Sequence, residues 1–304
     1  MFNAKFPIVA VGMNQVSDLN LALAVAKAGA IPTISGFNYY ETEYLLNLDK
    51  IENDFQMFLC DQKNCNVIFG IDDCHLIHNK DIIDLLIKYK VFGIELITSF
   101  DIFKEKFLEI DSLIKKIKKN NIKIIWKNFG EFTETNRFWN LYVSDNFDAL
   151  LIKGNLGAGR VSSTNKSLLD LTKEIKQKFK NKFLITSGGV GTATDVKNLI
   201  DAGADAVGIG TLFAAAKESC LSAEAKRKLI DSQFTDVKRL NTYDFDQNAL
   251  IFSSVVQNKT NNTKGLSIGI STGKEGHIFV GKGINNITEI KSVKEIVEDL
   301  CKLL

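Results

Sequence analysis

Two prolines and three histidines in 304 residues, and no real excess of either charge, are what this sequence first lacks. Lys plus Arg total 38 against 36 Asp plus Glu, a formal net charge of +2. Nothing in that balance offers a basic field for nucleic acid or an acidic membrane surface. No window approaches the roughly 20 consecutive apolar residues needed to cross a bilayer. The opening, MFNAKFPIVAVGM, has one Lys and a short apolar stretch broken by Pro7, so no signal peptide is expected. Five cysteines, odd in number and scattered, argue against a disulfide framework and for reduced thiols. The expectation is a cytoplasmic protein that meets a small-molecule substrate, neither nucleic acid nor membrane, with a homodimer left open. The scarcity of proline, beside abundant Lys, Asn and Ile, carries no functional meaning.

With 45% hydrophobic residues, the chain can bury a core without metals or disulfides. Short β-branched or apolar runs alternate with segments of helical period, the pattern of repeated βα units and a parallel sheet. The runs are 7–12, 30–35, 66–71, 91–97, 122–126, 148–153, 182–187 and 205–210. Eight is the number that a closed (β/α)8 barrel requires, though an open doubly wound sheet gives similar strings. Between the runs, Ser17 is placed to cap a helix that Gly29 ends, and LLDLTKEIKQKF (168–179) sets its charges opposite its leucines. After the eighth run the rhythm breaks. The fold class expected is α/β: a TIM barrel over 1–217, a small lid or substrate domain over 218–283 and a helix in 284–304 that rejoins the barrel.

The string ITSGGVGTATDVKNLIDAGADAVGIGTLF (185–213) carries the most chemistry. One strand ends in Ser187-Gly188-Gly189, and one βα unit later another ends in Gly208-Ile209-Gly210-Thr211. Gly-rich turns let backbone N–H groups approach an anion closely, and the loops after the seventh and eighth strands form a phosphate site in many barrels. No G-x-G-x-x-G follows the first strand, so a dinucleotide site of the Rossmann kind is not expected.

This string resembles the phosphate segment of the nitronate monooxygenase family, the 2-nitropropane dioxygenases, which includes flavin-dependent enoyl-ACP reductases. Gly188 to Val190, Ala202 to Asp205 and Gly210 to Phe213 carry the likeness, with Pro7-Ile8-Val9, Gly12-Met13 and the tail 276–297. The resemblance implies an FMN-binding TIM barrel, with cofactor contacts from Gly12, Met13, Gly188, Gly189, Val190, Gly210 and Thr211. Where the family carries a histidine as catalytic base, this chain reads Gly154-Asn155-Leu156-Gly157-Ala158-Gly159-Arg160. A guanidinium stays protonated and cannot accept a proton, so Arg160 is expected to bind an anionic group of the substrate.

Other residues are candidates for that mouth. Asp72 and His75, after the third strand, are candidates for a displaced base. Lys127 and Lys153 end the fifth and sixth strands, where a cation would stabilise reduced flavin. Phe37, Tyr39, Tyr40, Trp126 and Phe129 are candidate pocket walls. Cys60, Cys65 and Cys74-His75 match no usual zinc spacing, so no metal is expected, and His277 is expected on the surface. The function expected is an FMN-dependent oxidoreductase resembling nitronate monooxygenase. An NAD(P)H-dependent reductase resembling the enoyl-ACP type, and a flavin-binding protein without turnover, stay open.

Overall fold

A computed structural model describes residues 2–42, 44–62, 66–98, 100–128, 137–162, 164–242, 245–252 and 262–304. Each of the eight apolar runs contains one strand: β1 (Ile8–Ala10), β2 (Thr33–Ser35), β3 (Ile68–Asp72), β4 (Gly93–Ile97), β5 (Lys123–Asn128), β6 (Ala149–Lys153) and, past a two-residue strand β7 (Gly159–Arg160), β8 (Phe183–Ser187) and β9 (Ala206–Ile209). These eight pair in parallel in the order β1-β9-β8-β6-β5-β4-β3-β2, and β7 lies outside that sheet. The ring closes through a parallel bridge between Val9 and Ile31. There the Ala10 N–H donates to the Ile31 carbonyl at 2.9 Å, and the Ile31 N–H to that of Ile8 at 2.8 Å.

Side chains alternate across each strand. Val9, Ile31, Ile68, Ile125, Leu151 and Ile185 meet inside the barrel. The intervening Phe69, Ile94, Leu96, Ile124 and Leu150 face the outer helices. Those helices are amphipathic for the same reason: in Phe107–Lys119 the buried Ile110, Leu113, Ile114 and Ile117 form a stripe of helical period.

One local reading changes. The helix Leu19–Lys27 is capped by Asp18, whose carboxylate accepts from the Leu21 N–H at 2.9 Å. Ser17 is one residue early and points inward. Its hydroxyl accepts from the Met13 N–H at 3.0 Å and donates to the Val11 carbonyl at 3.1 Å, so it braces the turn after β1. After β3, Asp72 accepts from the His75 N–H at 2.8 Å and caps a short helix, Asp73–His78.

Past β9 come the helix Ala223–Ile230, β10 (Lys238–Thr242), β11 (Phe245–Ile251), the helix Asn262–Thr272 and β12 (His277–Phe279). β10, β11 and β12 form an antiparallel sheet that takes in β7, with Arg160 opposite Gln247 and Gly159 opposite Asn248. Leu250, Leu266, Ile270 and Ile278 share one apolar cluster with Val207 and Ile209 of the barrel wall. The last helix, Val293–Cys301, packs on Leu19–Lys27 and Ala193–Asp201. Among the described residues, no helix is long and apolar enough to cross a membrane.

Because Ser17 braces a turn and Asp18 caps a helix, the two alanine variants should lose stability for different reasons. Ser17→Ala should cost about 1–3 kcal/mol through the buried donor and acceptor it strands, and Asp18→Ala about 1 kcal/mol. Urea denaturation of both variants checks this; an unchanged midpoint for Ser17→Ala would remove the brace.

Candidate active site

Two residues beyond the apolar layer on several strands, the barrel interior turns polar, at Thr33, Lys127, Lys153 and Ser187. Glu95 of β4 has no exposed surface, and the Lys127 ammonium of β5 donates to its Oε1 at 2.6 Å. Lys127 also donates to the Gly12 carbonyl at 3.3 Å. Gly12 fits here because a Cβ on it would stand 3.2 Å from Glu95 Oε1. Glu95 Oε2 and Thr33 Oγ1 are buried with no hydrogen-bond partner among the described residues. A buried polar atom in that state costs about 1–3 kcal/mol.

Lys153 ends β6 on the same inner face. Its ammonium group donates to the Ala158 carbonyl, and Gly157 packs so close that a Cβ would come 2.7 Å from the lysine Cε. Burial first, then the charge of Lys127, push this amine down to about 7; Glu95 opposes the shift and Arg160 adds to it. Arg160 also acts on Asp73, whose carboxyl is raised by burial while Arg160 pulls it the other way. Lys127, Lys153 and Arg160 therefore share one end of the barrel.

The glycine turns lie at that end too. Gly188 has φ +110° and Gly189 φ +84°, which side-chain-bearing residues rarely adopt. A Cβ on Gly188 would stand 2.9 Å from the Gly154 nitrogen, and one on Gly189 2.9 Å from Leu156 Cβ. The loop after β6 thus lies directly against the turn after β8. Asn248 of β11 holds this loop, its Nδ2 donating to the carbonyls of Asn155 at 3.1 Å and Gly157 at 2.8 Å. The Lys282 N–H donates to the Leu156 carbonyl at 2.8 Å. The Gly281 N–H donates to Thr211 Oγ1 at 3.0 Å. Met13 Sδ lies 3.5 Å from the place of a Cβ on Gly210.

The structure thus brings Gly12, Met13, Lys127, Lys153, Arg160, Gly188, Gly189, Val190, Gly210 and Thr211 to one end. The N–H groups of Gly188, Gly189 and Thr211 find no acceptor among the described residues. Clustered backbone donors beside buried cations suit an anion such as a phosphate.

Asp72 and His75 form a second cluster beside it. His75 Nδ1 lies 2.8 and 2.9 Å from the two Asp72 oxygens. The Tyr40 hydroxyl donates to Asp72 Oδ2 at 2.7 Å, and its ring stacks on His75 at 3.7 Å between centroids. Burial pushes the Asp72 carboxyl up, but the hydrogen bond and charge of His75 more than offset this and hold it below the usual range. His75 Nε2 is buried with no partner among the described residues.

Some candidates fall elsewhere. His277 is buried in β12 with both ring nitrogens unpartnered among the described residues, and burial pushes it down to about 4. Its place between apolar neighbours of a paired strand explains why it is not on the surface. Tyr39 and Trp126 pack in the outer core, so they are not pocket walls; Phe37 leans on Tyr40 at 5.1 Å. Phe129 and Cys65 lie outside the described residues, and Cys60 is exposed. Sequence reading missed Glu95, whose signal was a lone acid inside an apolar run, and Asn248, which had none.

A family model described as Nitronate monooxygenase matches residues 119–302. Among solved structures, FabK from Thermotoga maritima is similar with a TM-score of 0.81 and 20% identity, over 99% of this chain and 93% of that one. A nitroalkane oxidase from Streptomyces ansochromogenes has a TM-score of 0.74 and 15% identity, over 98% and 96%. The enoyl reductase domain of MlnA, from the macrolactin biosynthesis cluster of Bacillus amyloliquefaciens, has 0.70 and 14%, over 99% and 94%. At such identities the likeness speaks to the fold. No curated protein matches the sequence.

The ion pair yields a stability test. Glu95→Leu would leave Lys127 buried without its carboxylate and should cost about 3–5 kcal/mol. The double variant Glu95→Leu/Lys127→Met should recover most of that loss in urea melts. Equal losses in the single and double variants would count against coupling between the two charges.

Proposed function

The chain belongs to the nitronate monooxygenase family, whose members are flavin oxidoreductases, and from that membership we propose an FMN-dependent oxidoreductase acting on a small anionic organic substrate, with a preformed nitronate as the type. The observation that carries FMN in particular is the set of acceptor-less N–H groups at Gly188, Gly189 and Thr211. In this reading those amides, with Val190 and Gly210, hold the phosphate, and Gly12 and Met13 approach the ring. Lys127 and Lys153 would hold positive charge near the bound ring, where it would stabilise the reduced form. Bound FMN supplies the two-electron acceptor.

Arg160 takes the substrate. Its planar fork of N–H donors suits a nitronate, carboxylate or phosphate, and a nitronate is already an anion, so its oxidation asks for no base. Asp73 nearby tempers the guanidinium charge. Residues 218–283 serve as the lid over a barrel formed by 1–217 and 284–304: the contacts of Asn248, Gly281 and Lys282 with the loop after β6 and with Thr211 support this. A lid of this kind excludes water and narrows substrate choice.

Purified protein should absorb near ~370 and ~450 nm. FMN should raise its melting temperature, and riboflavin, which lacks the phosphate, should not. Equal stabilisation by both would refute the phosphate site, and rapid bleaching by NADPH without oxygen would identify a reductase instead. Arg160→Lys keeps charge but loses the fork, and should weaken an anionic substrate by about 2–4 kcal/mol, read as a higher KM.

A further inference from the structure

We propose that His277 is a second recognition point for the substrate, taking an uncharged hydroxyl or carboxamide at the end of the molecule remote from the anion that Arg160 holds. The inference rests on the reading of the mouth as an anion-binding substrate site, and it describes the rest of that substrate. Behind the anion lies an apolar chain, and the chain ends in a group that both donates and accepts hydrogen bonds.

Strand register sets the direction of the side chain. With β10 on one edge of β11, β12 and β7 lie end to end along the other: Ile251 is opposite His277, Ala249 opposite Phe279 and Gln247 opposite Arg160. Opposed residues share a face of a sheet, and so does every second residue along a strand. His277, Phe279 and Arg160 therefore form one row. Arg160 acts on Lys153 and Asp73, so this row looks into the barrel mouth. The other face carries Leu250 and Ile278, which pack with the barrel wall, and Asn248, which holds the loop after β6.

His277 is only 2% exposed, yet neither of its ring nitrogens has a hydrogen-bond partner among the described residues. A ring that merely filled space here would be better as Phe or Leu, because polar atoms stripped of water and left unpaired cost stability. A ligand that reaches the ring supplies the missing partner. The Phe279 ring, 5.1 Å from the imidazole between centroids, gives that ligand an apolar wall between His277 and Arg160, and Ala249 opposite it adds little bulk. From Gln247 to Ile251 the strand runs about 13 Å, which sets the length of chain between the two polar ends. Burial pushes His277 down to about 4, so near neutral pH the ring is uncharged, with one N–H and one lone pair. That suits a hydroxyl or carboxamide, and it offers a second carboxylate no opposite charge.

The test compares three probes of equal length by calorimetry with the protein as purified: decanoate, ω-hydroxydecanoate and the dicarboxylate sebacate. ω-Hydroxydecanoate should bind on the order of tenfold more tightly than decanoate, and sebacate no more tightly than decanoate. In His277→Leu the hydroxyl should lose its advantage while decanoate keeps its affinity. His277→Gln, which retains a donor and an acceptor, should keep part of the preference. Because a variant can fail to fold, the ring is also followed directly in wild-type protein by NMR of isotope-labelled histidine. The chain has three histidines, and the signals of His277 are those that persist in His75→Asn and in His78→Asn. ω-Hydroxydecanoate should shift them, and decanoate should shift them far less. A hydroxyl preference that survives His277→Leu would overturn the proposal, as would tighter binding of sebacate or His277 signals that stay in place at saturation. An equal loss for decanoate and ω-hydroxydecanoate in His277→Leu would make the residue a structural one and overturn it too. If the acids bind and Arg160→Lys weakens all three while His277 is unmoved, this inference falls and the reading of the mouth stands; if no acid binds, both fall.

Discussion

The salt bridge between Glu95 and Lys127 governs the barrel's mouth. Removing two charges from water costs several kcal/mol per ion, and only a close partner offsets it. At 2.6 Å, with neither side chain more than 8% exposed, the pair sets conditions for its neighbours. Gly12 packs closely beside Glu95, where a Cβ would stand 3.2 Å from Oε1, and its carbonyl accepts from Lys127. Lys153, the next inward cation, is left in a dry and already positive surrounding. The glycine turns then bring backbone N–H donors to the same end of the barrel.

Much of the fold was legible because it depends on side-chain period. Eight apolar runs became eight parallel strands, and the charged faces of helices such as Leu168–Lys178 lie outward. The turn glycines were legible as well, since positive φ and close packing both demand them at Gly188 and Gly189. What escaped depends on contacts between residues far apart in sequence. Nothing local distinguishes Asn248 from any other polar strand residue, yet it holds a loop some ninety positions earlier. Ser17 looks like a cap by itself; only the turn after β1 shows that its hydroxyl faces the other way. Aromatic residues misled for the converse reason. Their size marks them for burial but does not say on which side of a strand, and Trp126 is odd to the inward Lys127 beside it.

Arg160 brings a permanently charged group to the mouth, where it acts on both Lys153 and Asp73. Asp72, His75 and Tyr40 are tied to one another at one side of the mouth.

The clamp on the loop after β6 has a consequence for how the molecule comes into being. Its fastenings come from Asn248 and Lys282, both in the last fifth of the chain. During synthesis, every barrel strand has been made before either of these residues. The nascent barrel must wait with its glycine turns uncovered, and the long-range contacts that finish it are of the slow-forming kind. Binding competence therefore arrives late in the folding of this chain, after the framework that surrounds it.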